Sequence, residues 1–282
     1  MTLKVNSKTS SETTRSPLDI LTIIAIAVTV WAFSNASHEI LGHGGVAVLL
    51  GYKPISISTS FFMYDTSGDT FWGAKAVAGG ATVVNLLIAL ISLLLLRSQK
   101  IKSPRTNYFL WLLMSVNLFY SGSYLIGWFI GPTLDWAMFL NGLEPLFLWT
   151  LGVTAVGVLI LVSGFHLSCK YWVPFLGDEE SERRRRMTVL TLIPYLTIIV
   201  VKVSAGFMNP DPDKMLIFWG SFGVSAFFLV WINFLRFWPF TKQTASSQKA
   251  AVLGRSIPWL VIGFVALLLF VGVLGSEIQL GN

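Results

Sequence analysis

One cysteine, Cys169, stands in 282 residues, so the chain can close no internal disulfide, and cysteine usage carries no information about redox compartment. Charge is scarce as well. Asp, Glu, Lys and Arg together make up 12% of the chain, about half the share found in ordinary soluble domains. With 54% hydrophobic residues and a mean hydropathy of +0.69, a water-soluble fold would lack the polar surface needed to cover itself. There is no repeat of fixed period and no inverted pair of broken helices, which argues against a solenoid or a transporter. The polar stretches between apolar runs are too short for a second folded domain. The net charge of +6 would suit nucleic acid, yet the basic residues are scattered among short loops rather than gathered in a patch, and no nucleic-acid partner is expected.

What is present is a series of apolar runs, each long enough to cross a hydrocarbon core of about 30 Å as a helix of roughly 20 residues. An all-α integral membrane protein is therefore expected, with the lipid bilayer as its principal partner and seven spans at 18–50, 73–96, 107–128, 144–171, 188–208, 215–238 and 257–275. Eleven Trp and 21 Phe fit lipid-facing surface and interfacial belts without any cofactor. Residues 1–17, rich in Ser, Thr and Lys, read as a disordered tail. Ser34-Asn35-Ala36 looks like a signal cleavage site, but the apolar pattern resumes from Val46 to Leu50, so the first span is expected to stay attached.

Lys and Arg fall on one set of sides of this seven-span arrangement, with only Lys53, Lys75, Lys202 and Lys214 elsewhere among 20 basic residues. Because cytoplasmic loops retain positive charge, the bias predicts a cytoplasmic N-terminus and an external C-terminus. Arg183 to Arg186 read as a topology anchor. Lys75 and Lys202 read as side chains that snorkel to the interface.

The first span ends in His38-Glu39-Ile40-Leu41-Gly42-His43, which reads as the zinc-protease type of motif. In that pattern two histidines one helical turn apart share a face and bind one metal ion, and the Glu beside them acts as general base. Zinc suits such a site because it accepts imidazole nitrogen, keeps a position open and lowers the pKa of a bound water toward ~7. Ionisable groups inside a span are costly unless paired, wet or metal-bound, and here three crowd into six residues. Glu39 is thus the candidate catalytic residue, and His38 and His43 are candidate ligands of Zn²⁺. A third ligand has to come from another span; Asp135, in Gly131-Pro132-Thr133-Leu134-Asp135-Trp136, is the first choice, with Glu144 and His166 as alternatives. Starting near Leu18, a helix rising 1.5 Å per residue reaches His38 after roughly 30 Å, so the motif and Asp135 are expected at one depth, near the outer face.

At these residues the chain resembles the site-2 protease group of intramembrane zinc metalloproteases. His38 to Gly45 is similar to that group's first core helix, Ala78 to Asn85 to the small-residue and Asn pattern of its second, and Leu134-Asp135 to its Leu-Asp pair, although Trp136 follows where the group has Gly. The resemblance covers roughly residues 20 to 145 and implies a zinc-protease-like core over 18–145, with 146–282 as additional helices of the same membrane domain. It further implies an endopeptidase that hydrolyses peptide bonds of transmembrane protein substrates in or near the bilayer, with Asp135 as third ligand. Ile55 to Ser60, alternating at strand period, would match the membrane-associated strands placed after the zinc helix. A catalytically silent relative with a binding or regulatory role, and a transporter using the His and Glu groups, are the alternatives.

Overall fold

Residues 18–132, 134–177, 179–210, 213–237 and 250–281 are described by a computed structural model; the tail at 1–17 lies outside them. The chain is mostly helical, and among the described residues seven helical stretches are long and apolar enough to cross a membrane. They run Ile20–Leu49, Phe71–Ser98, Pro104–Phe129, Leu146–Phe175, Glu180–Met208, Ile217–Phe237 and Ile257–Leu274, close to the sequence expectation at most ends. Within them lie α1 (Ile20–Ser37), α2 (Gly45–Leu49), α3 (Phe71–Ser98), α4 (Pro104–Ile126), α6 (Leu146–Trp172), α7 (Glu180–Met208), α8 (Lys214–Leu229), α9 (Trp231–Phe234) and α10 (Ile257–Leu267), with a short α5 (Asp135–Leu140) between the third and fourth spans. Multi-pass membrane architecture follows from these lengths and compositions.

The helix starts are written locally. Asp19 caps α1 by accepting from the Thr22 amide at 2.8 Å, Thr70 caps α3 through Gly73, and Ser103 caps α4 ahead of Pro104. α7 begins eight residues before the apolar run at 188. Glu180 and Glu182 in its first turn suit the helix dipole, and they pair with Arg184, Arg185 and Arg186 one turn on, so the helix continues beyond its apolar part. Arg186 is no free anchor. It is fully buried and donates to Glu182 and to the carbonyls of Phe175 and Ala251, so it also ties the start of α7 to its neighbours.

α4 is the axis of the bundle and the most buried span; α6 and α10 turn most of their surface outward. Trp111 stacks on Trp172 with ring centroids 5.6 Å apart and donates to the Ser168 carbonyl, while the Tyr108 hydroxyl donates to the Leu190 carbonyl. These two buried polar groups find partners on neighbouring helices. α4 approaches α6 through a pair of glycines: a Cβ on Gly157 would lie 2.9 Å from the Gly122 carbonyl. Such close backbone approach is the usual way that spans pack where no hydrophobic driving force separates helix from lipid.

The two ends of the bundle differ. At one end Leu18 bridges Leu253, the Asp19 amide donates to the Leu253 carbonyl, and Arg105 donates to the Gly254 carbonyl, tying the first, third and seventh spans together. At the other, β1 (Pro54–Ile57) pairs antiparallel with β2 (Phe62–Tyr64) and with β3 (Ile278–Gln279), in the order β2-β1-β3. Ile57 faces Phe62 on one side and Ile278 on the other. The alternating segment at 55–60 thus forms β1 over its first residues, as its period suggested.

Candidate metal site

α1 does not continue unbroken through the motif. His38–Gly44 forms a π-helical turn, in which the Gly45 amide donates to the Ile40 carbonyl five residues back. This corrects a point of spacing. His38 and His43 are five residues apart, one more than in the His-Glu-x-x-His pattern, and in an unbroken α-helix a five-residue step rotates the second side chain about 140° away from the first. The wider π-turn takes up the extra residue and returns both imidazoles to one side, with ring centroids 5.0 Å apart. Small residues permit the packing. A Cβ on Gly80 of α3 would lie 2.8 Å from the Gly42 carbonyl, so α3 presses directly on the π-turn.

Both rings are oriented from behind. His43 Nδ1 donates to the Val77 carbonyl at 2.8 Å, which turns Nε2 toward Asp135 Oδ2, 3.4 Å away, where Nε2–H donates to the carboxylate and a bound ion would take that proton's place. His38 Nε2 lies 3.2 Å from the same oxygen, and its Nδ1 lies 3.1 Å from the Asn85 amide. Asn85 Oδ1 is buried without a hydrogen-bond partner; turning that amide over presents Oδ1 to His38 Nδ1–H, the arrangement that leaves Nε2 free as a ligand. Tyr120 and Tyr124 close over His38 edge-on, at 5.6 and 5.7 Å.

Asp135 is the first residue of α5, and α3 holds that short helix in place. Trp136 Nε1 donates to Thr82 at 2.9 Å, and Lys75 donates to the carbonyls of Met138 and Asn141 at the far end of α5. Lys75 is therefore a buried helix C-cap, a favourable place for a cation, and not a snorkelling side chain. Burial alone would raise the Asp135 pKa, but hydrogen bonds from His38 and His43 outweigh it and hold the carboxyl well below its ordinary range.

His38, His43 and Asp135 each offer a ligand atom within 4.8 Å of the others, a cluster that can hold a metal ion. Neither alternative third ligand joins it: Glu144 and His166 are both exposed, His166 on the outer face of α6. The cluster forms part of the wall of a cavity of about 590 Å³, and Glu39 lines the same cavity, buried, with Oε2 lacking a hydrogen-bond partner. The opposite walls come from residues 60–64 and from the later spans, through Lys202 of α7 and Ile217, Gly220, Ser221 and Val224 of α8. Residues before and after 145 both line this cavity.

Lys202 is the residue that sequence reasoning misplaced. It is 4% exposed and donates to the Thr59 carbonyl and, at 3.5 Å, to Ser60 Oγ. The available signal was a lone ammonium within a long apolar run. Tyr120 and Tyr124 carried no such signal, because aromatic residues are abundant throughout the chain. Compared with models of known families, with curated proteins and with solved structures, the chain matches none of them.

Proposed function

We propose that this protein is a zinc-dependent intramembrane endopeptidase that hydrolyses peptide bonds of membrane-protein substrates within or near the bilayer. The observation that carries the reading is the convergence of His38, His43 and Asp135 on one point of a cavity wall that Glu39 shares. The donor set fits zinc: two imidazole nitrogens and one carboxylate leave a fourth position open, as catalytic zinc sites do. The spacing fits as well. Ligands held about 2.0–2.1 Å from a tetrahedral ion lie about 3.3 Å from one another; the two Nε2–Oδ2 separations are 3.2 and 3.4 Å, and all three ligand atoms lie within 4.8 Å of one another.

When bound, such an ion supplies Lewis-acid chemistry, polarising a carbonyl and acidifying a water. Glu39, beside His38 in the chain, takes the proton of the attacking water and returns it to the leaving amine. The Val77 carbonyl and Asn85 fix the two imidazoles so that little reorganises during reaction. Residues of α3, α5, α7 and α8 line the cavity around the site.

The seven-span alternation puts this site at the end of the bundle that holds the strands, away from Arg97, Arg105 and Arg183 to Arg186. By the positive-inside rule we infer that the basic end is cytoplasmic and the site opens toward the outer face. The experiment is cleavage of internally quenched peptides and of a single-span substrate by the full chain in detergent or nanodiscs. Wild type is expected to cleave, with activity lost on chelation and restored by Zn²⁺, and Glu39→Gln to be inactive. Undiminished cleavage by Glu39→Gln would refute the assignment. Zinc binding without turnover on any substrate would favour a catalytically silent relative.

A further inference from the structure

Burying an ammonium inside a membrane span is expensive, and a chain that does so without a carboxylate beside it requires a reason. Lys202 is such a case. It lies in α7, 4% exposed, and among the described residues no carboxylate forms an ion pair with it. Its two polar contacts, the Thr59 carbonyl and Ser60 Oγ, are neutral, and an ammonium has three protons to donate. Tethering a turn asks only for an uncharged donor. What distinguishes Lys202 is its position: it lines the same cavity as His38, Glu39, His43 and Asp135.

We propose that Lys202 is a catalytic residue that donates a hydrogen bond to the oxyanion of the tetrahedral intermediate, so that α7 belongs to the active site. This rests on the peptidase reading. In the step concerned, a water lone pair forms the new bond to the carbonyl carbon, and the π pair moves onto the carbonyl oxygen, whose negative charge faces Lys202. Glu39 holds the proton lost by water. On collapse the C=O bond re-forms, the C–N bond breaks with its pair going to nitrogen, and that nitrogen receives the proton from Glu39. Lys202 keeps its own proton throughout. A fixed, buried cation is worth more to a developing anion than one in water.

The test uses the full chain in detergent, loaded with Co²⁺ so that visible absorption reports the metal's surroundings, with inorganic phosphate as a tetrahedral oxyanion probe. Wild type and Lys202→Arg are expected to bind phosphate with a change in the Co²⁺ spectrum. Lys202→Met is expected to bind it at least about tenfold more weakly while its Co²⁺ affinity stays within about twofold. In peptide cleavage Lys202→Met is expected to lose about 10²–10³ in kcat with little change in KM, and Lys202→Arg to recover part of it. Equal phosphate affinity in wild type and Lys202→Met would overturn the proposal, as would loss of the Co²⁺ spectrum in Lys202→Met, since the residue would then act only on the fold. A wild-type chain that takes up no Co²⁺ would instead overturn the peptidase reading, and this inference with it.

Discussion

The two ends of the bundle handle buried charge in opposite ways. At the basic end Arg186 is fully buried, yet its guanidinium meets the Glu182 carboxylate and two backbone carbonyls, while the exposed Arg255 reaches Asp19 at 3.0 Å. Each group faces its complement, which is what a structural ion pair requires. At the strand end the closure is incomplete. Two imidazole nitrogens converge on one carboxylate oxygen, Glu39 Oε2 has no hydrogen-bond partner, and Lys202 is buried without an ion pair among the described residues. A fold at ease with itself has no use for that arrangement, whereas a site that completes itself around an ion and a reacting substrate does.

Substitutions at the two ends should therefore separate function from stability. The largest effect is expected from Glu39→Gln, which should lower the rate of peptide cleavage by about 10²–10⁴ and leave the thermal unfolding midpoint near the wild-type value, because Glu39 Oε2 has no hydrogen-bond partner to lose. Arg186→Met should do the reverse. Stripping one partner from a buried pair costs about 3–5 kcal/mol, read as a lower midpoint, while metal content and cleavage per folded molecule stay at wild-type levels. If Arg186→Met abolished metal binding in folded protein, the contrast between the ends would collapse.

Smaller effects sharpen the comparison. Asn85→Ala removes the group behind His38 and should weaken metal affinity about 10–100-fold without unfolding the chain; titration against a competing chelator measures it, and an unchanged affinity would mean that the π-turn alone orients the ring. Asp19→Ala removes the cap of α1 and should cost about 1 kcal/mol, with a definite pH signature. Burial tends to raise the Asp19 pKa, but its hydrogen bonds from Thr22 and its pairing with Arg255 outweigh that and lower it. The contribution is thus complete above the unfolded carboxylate pKa of about 3.9 and disappears as pH falls through the lowered folded value. Unfolding midpoints of wild type and Asp19→Ala should accordingly converge as the pH drops below about 4.

Much of this molecule is legible from sequence because the bilayer is an exacting solvent: a span must be long, apolar and helical, so seven runs stand out with little ambiguity. The same solvent made His38, Glu39 and His43 conspicuous, and the search for a third ligand reached Asp135, which the fold brings to both imidazoles. What stayed hidden depends on register and on partners far away in sequence. The π-turn cannot be read from composition, since nothing in Ile40-Leu41-Gly42 announces where a helix will widen; only the five-residue spacing hints that it must. Lys75, Arg186 and Lys202 looked like interfacial charges because their acceptors, the α5 carbonyls, Ala251 and Thr59, lie dozens of residues away or more. The early start of α7 was masked because hydropathy marks the lipid-facing length of a helix and not its hydrogen-bonded length.

The most direct test of the central claim is the metal content of the purified full chain, measured for wild type, Glu39→Gln and Asp135→Ala. About one zinc per molecule is expected in wild type and in Glu39→Gln, and a large loss in folded Asp135→Ala. A wild-type chain without zinc under metal-replete conditions, or an Asp135→Ala variant that keeps its full complement, would contradict the account.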